Sequence, residues 1–149
     1  MRIVVGLAAL LVLAAGCGGG GSNGHETFIE KADAICTDFQ RQVGQIPPVQ
    51  DPSSMVQIAA FLQRFAPLVR SETAELRRLE LPEQDRADMA RYIAALAAQA
   101  AFVDRARATA RRRNQVGMQI AVRQWQNWTE EETRLAHELG FTVCGGGVR

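Results

Sequence analysis

Three cysteines, two histidines and four serines carry the nucleophiles and soft ligands of this 149-residue chain. A metal centre needs three or four such groups brought together. His25 and His137 stand far apart in sequence. Neither ends the Glu-x-x-His pattern by which helical bundles hold paired irons, since Arg134 lies three before His137 and Ser22 three before His25. No metal and no cofactor are expected. A serine nucleophile has little to draw on: Gly-x-Ser-x-Gly is absent, and Ser22, Ser53 and Ser54 stand in tether or cap contexts. Among the acids the densest run, Glu130-Glu131-Glu132, reads as a solvated helix face. The chain is not expected to be an enzyme.

The cysteines say more. Met1-Arg2 supplies one positive charge, Ile3 to Ala15 is apolar apart from Gly6, and Ala14-Ala15-Gly16 leads with small residues into Cys17. Charge, a short apolar stretch and a small-residue cleavage site make a secretory signal. As a helix the stretch would span roughly 20 Å, short of a hydrocarbon core of about 30 Å. The segment resembles a bacterial lipoprotein signal, which implies removal of residues 1–16 and a diacylglyceryl anchor of palmitate type on Cys17. Gly18-Gly19-Gly20-Gly21-Ser22-Asn23-Gly24 then reads as a flexible tether over residues 17–25, with a reach of roughly 15 Å. The expected location is the extracytoplasmic face of the cell membrane, with the membrane as first partner through Cys17.

Loss of residues 1–16 removes Arg2 and no acid, which brings the formal net charge from +1 to zero. No global field argues for nucleic acid. Residues 26–149 suffice for one domain with one core. Cys36 and Cys144 remain, an even pair in an oxidising compartment, and they read as a disulfide. A buried thiol pair and a reactive cysteine are the other readings; no Cys-x-x-Cys occurs.

Four amphipathic helices must position these groups. Phe28, Ala32, Ile35, Phe39, Val43 and Ile46 step by three or four along a helix over about Glu26–Gln45, which Ile46-Pro47-Pro48 stops. Asp51-Pro52-Ser53-Ser54 starts a second helix, whose inner face is Ile58, Leu62, Phe65, Val69, Leu76 and Leu79, with Glu72 and Thr73 in its gap. Pro67 should kink it. A third helix runs from about Pro82 to Arg112 on Met89, Ile93, Leu96, Ala100, Val103 and Ala110, and 113–117 reads as its last turn. A fourth, about Met118–Leu139, presents Ala121, Trp125, Trp128, Leu135 and Leu139 before Gly140 ends it. The simplest packing is all-α, an antiparallel four-helix bundle in up-down-up-down order, with one disulfide tying the first helix to the C-terminal tail.

Two surface or interior features suggest partners. Trp125 and Trp128 share a helix face and either fill the core or line, with Tyr92 and Phe102, an apolar groove. Arg105, Arg107, Arg111, Arg112 and Arg113 are either a basic helix end favoured by the dipole or a patch for an anionic partner.

Phe28-Ile29-Glu30-Lys31-Ala32-Asp33-Ala34-Ile35-Cys36 resembles the opening motif of small helical lipoproteins of GC-rich Gram-positive bacteria. Glu138-Leu139-Gly140-Phe141-Thr142-Val143-Cys144-Gly145 resembles their closing motif, and the Leu79-Glu80-Leu81-Pro82 turn is similar to theirs. The resemblance implies a helical bundle closed by a cysteine pair and assigns no activity to any position. The expectation is a lipid-anchored, non-enzymatic binding or interaction module acting on an envelope protein or ligand. The alternative is a carrier or sensor of a small apolar ligand held inside the bundle.

Overall fold

A computed structural model describes residues 22–146, and the lipoprotein signal and Cys17 lie outside them. Four helices run through the described chain: α1 (Ser22–Val43), α2 (Met55–Leu76), α3 (Arg86–Arg111) and α4 (Gln115–Glu138), with a 3-10 turn at Glu83–Asp85. They pack as an antiparallel bundle in up-down-up-down order, α3 lying against both α2 and α4.

The apolar stripes meet inside as their spacing predicts. Phe28, Ala32 and Cys36 of α1 join Leu76, Met89, Tyr92, Leu96, Leu135, Leu139 and Phe141 in one cluster, at the end of the bundle where α1 begins and α4 ends. Val43 and Ile46 join Phe65, Val69, Phe102, Val103, Ala106, Met118 and Ala121 in a second, at the opposite end. Pro67 lies inside α2 on its exposed side, where the hydrogen bond its missing N–H forfeits faces water.

Helix ends differ from expectation in three places, one of them the start of α3, expected at about Pro82 and found at Arg86 after the 3-10 turn. α1 begins at Ser22, inside the stretch read as tether. The cause is tertiary: His25 Nδ1 stands 2.8 Å from a carboxylate oxygen of Asp85, pinning the first turn of α1 to the start of α3 despite weak helix formers there. Residues 113–117 do not close α3. Arg113 turns the chain at φ 53°, and Asn114 caps α4, its side chain accepting from the Gly117 N–H at 2.9 Å.

The tail folds back on α1. Gly140 ends α4 at φ 81°, and the Asp33 carboxylate then accepts from three successive backbone N–H groups, those of Thr142 (2.9 Å), Val143 (2.9 Å) and Cys144 (3.2 Å), and from the Thr142 hydroxyl (2.6 Å). Burial pushes this carboxyl's pKa up, but the Thr142 hydroxyl and the three N–H groups outweigh it and hold the group below the ordinary carboxylate range. One turn on, Cys36 and Cys144 form the expected disulfide, S–S 2.02 Å and Cα–Cα 5.2 Å. At Gly145, φ 72°, a β-carbon would lie 2.6 Å from the Ala136 Cβ, so the tail approaches α4 more closely than any side chain permits.

Candidate functional site

The second core cluster is incomplete on one side. A groove of about 500 Å³ opens there between α2, α3 and α4, roofed by Val49 and Pro52 of the α1–α2 connection. Ile58, Phe61, Leu62 and Phe65 form one wall, Phe102 and Ala106 the floor, and Met118, Ala121, Val122 and Trp125 the other wall. Every lining residue is apolar. The rings hold one another: Phe61 stacks on Phe65 at 5.7 Å, Trp125 meets Phe65 edge-on at 5.7 Å, and Phe102 tilts against Trp125 at 5.7 Å. Such pairs gain about 1 kcal/mol each beyond area burial and fix the cleft's shape. A concave apolar site of this size lies within the range that takes small ligands.

Phe102 and Trp125, two of the four predicted groove residues, line it. Tyr92 and Trp128 do not. Tyr92 lies about 15 Å nearer the start of α3 than Phe102. It is fully buried in the first cluster, edge-on to Phe141 at 5.4 Å. Trp128, a turn beyond Trp125, is rotated toward α3 and lines a separate surface cleft with Arg105, Gln124, Asn127 and Glu131. Leu62 and Met118 were missed as ligand contacts because core and groove share one apolar periodicity.

The arginine cluster does not form one patch. Arg105 and Arg112 follow one side of α3, while Arg107 and Arg111 follow another, as helical rotation requires. Arg107 reaches Asp104 at 4.0 Å, and Arg113 belongs to the turn. Asp104 also pairs with Arg70 of α2 at 3.0 Å, so its charge is shared between two helices.

Between the clusters lies a polar layer. Glu72 and Gln99 are buried, and Gln99 Nε2 donates to Glu132 at 2.9 Å. Glu132 is half-buried, against the expectation of a solvated acidic run; it continues the inward face one turn before Ala136. Burial pushes its pKa up to about 7, with the Gln99 hydrogen bond pulling the other way. Burial likewise raises the Glu72 pKa well above the carboxylate range, and the charges of Glu132 and Glu75 add to that. The Tyr92 hydroxyl is buried without a hydrogen-bond partner among the described residues. Burial first, then the charges of Glu132, Glu72 and Asp33, raises its pKa. No cation pairs with Glu72 or Glu132 among the described residues, so a neutral acid is the form this layer favours.

Among the described residues no three His, Cys, Asp or Glu side chains converge as metal ligands. No described helix is long and apolar enough to cross a membrane. Comparisons with family models, curated proteins and solved structures found no match to this chain.

Proposed function

We propose that this chain is a lipid-anchored, non-enzymatic binding protein of the extracytoplasmic membrane face, and that its groove takes a small apolar ligand. The observation that carries the ligand is the groove itself, lined by twelve apolar residues with four aromatic rings and no charge. The signal-like segment ending at Cys17 supports the anchor, and the Cys36–Cys144 bridge suits an oxidising compartment. Cys17 precedes α1 by a few residues in sequence, while the groove lies beside the last turns of α1, where its Phe65 packs on Phe39, about 26 Å along the helix from Ser22. An anchored molecule would thus present its groove away from the bilayer.

Native mass spectrometry of the protein extracted from its own membrane tests this. One small apolar adduct per chain is expected, and Ala121→Trp, which fills the groove, should remove it. An unliganded protein, or an adduct that survives Ala121→Trp in a folded variant, overturns the ligand. Anchoring is tested separately: Cys17→Ala should move the protein from the membrane fraction to the soluble one. Continued membrane retention of the exported variant overturns the anchor.

A further inference from the structure

Trp125 and Trp128 are the two tryptophans of the chain, and they live differently. Trp125 packs against the second core cluster and two phenylalanine rings. Trp128 is only partly buried, pairs with no aromatic ring among the described residues, and packs with neither core cluster. It faces a cleft of about 420 Å³ between α3 and α4, whose other walls are Arg105, Gln124, Asn127 and Glu131. The four α4 residues fall at i, i+3, i+4 and i+7, so they share one helix face, with Arg105 reaching in from α3.

The polar groups of this cleft are largely uncommitted. Among the described residues the side chains of Gln124 and Asn127 make no hydrogen bond, and Arg105 makes no ion pair. Glu131 is held in place by Arg134, whose Nε lies 3.0 Å from one carboxylate oxygen. A carboxylate in that pose keeps lone pairs for a further donor. The chemistry offered is therefore one flat indole, two planar amides, one guanidinium and one carboxylate that Arg134 already pairs.

A wholly apolar ligand would strand those amides and charges. An anion would find a single exposed guanidinium, that of Arg105, among the lining residues, with the Glu131–Arg134 pair beside it. A neutral polyol with one C–H face and a rim of hydroxyls satisfies all five groups at once. The indole covers the C–H face, and planar amides and charged forks serve paired hydroxyls as donor and acceptor. The volume lies within the range of ligand sites.

We propose that this cleft is a saccharide-binding site, with Trp128 as the platform for a pyranose or furanose ring and Asn127, Gln124, Glu131 and Arg105 bonding its hydroxyls. It is separate from the apolar groove and does not rest on it. A cell-surface glycan and a free oligosaccharide present the same chemistry, and the assay distinguishes them.

The test uses the full-length protein in a detergent without a sugar headgroup. Trp125→Phe leaves Trp128 as the single indole, and its emission is followed during titration with oligosaccharides of glucose, galactose, arabinose and N-acetylglucosamine. At least one should give a saturable change, and calorimetry on the unsubstituted protein should return the same affinity. Asn127→Ala, on the exposed face, should weaken it about tenfold and Trp128→Ala more. Retention on insoluble cell-wall material, competed by the same sugar, assigns a surface glycan; binding of the free sugar without retention assigns a soluble one. Absence of a saturable signal with all four sugars in both measurements overturns the site. So does binding indifferent to Asn127→Ala and Trp128→Ala.

Discussion

Glu132→Gln is the substitution that most directly interrogates the polar layer. A carboxyl that releases its proton near 4.5 when unfolded and near 7 when folded binds more protons in the folded state across that interval. Stability from this group is therefore full below about pH 4.5, falls as pH rises to about 7, and levels off above. The displacement corresponds to at most about 3 kcal/mol at roughly 1.4 kcal/mol per pH unit. Glutamine keeps the shape and can still accept from Gln99 Nε2, but it has no charge to desolvate. It also removes the charge that bears on Glu72 and Tyr92. The variant should match the parent at pH 4, gain on it steadily, and exceed it by about 2–3 kcal/mol at pH 8. Chemical unfolding at half-unit pH intervals, followed by circular dichroism, measures this. Parallel curves for the two proteins between pH 4.5 and 7 would refute the buried state of the carboxyl and with it the layer.

Other perturbations have equally definite outcomes. Asp33→Asn turns an acceptor of four hydrogen bonds into a group that can satisfy only some of them, and should cost about 3 kcal/mol in urea unfolding. Because the Asp33 pKa is depressed on folding, the parent should hold that advantage above about pH 4 and lose it on further acidification, while the variant shows no such loss. Paired Cys36→Ser and Cys144→Ser changes open a loop with a sequence separation of 108 and should lower stability by about 4 kcal/mol, matched by reductant on the parent. Gly145→Ala should lower the melting temperature through its close contact with Ala136, whereas Gly24→Ala, in open space within α1, should raise stability by roughly 0.5–1 kcal/mol.

The four stripes were readable because burial in a helix imposes its own period on the chain. Val69, Leu96 and Val103 lie where three-and-four spacing puts them, and the cysteine pairing followed from compartment and count. Asp33 was opaque for the opposite reason. Its role exists only after residues more than a hundred positions later fold back onto it, and a lone acid on an exposed-looking helix carries no mark of that. Glu132 sat within a charged run, where composition suggests solvent; its place in line with Ala136 and Leu139 was the available signal. The tryptophans shared a helix side by spacing, yet the roughly 60° by which three residues fall short of a full turn sends one into the groove and the other to the cleft. Periodicity finds the inside of a bundle and does not tell which part of that inside is left unfilled.

The carboxylate clasp on the C-terminal tail has a bearing on how Cys36 and Cys144 find each other. Asp33 sits one helical turn before Cys36 and grips the amide of Cys144 itself, so a reduced chain that keeps this clasp would already hold its two sulfurs close enough to join. Oxidation then makes permanent an encounter that charge and backbone have already arranged.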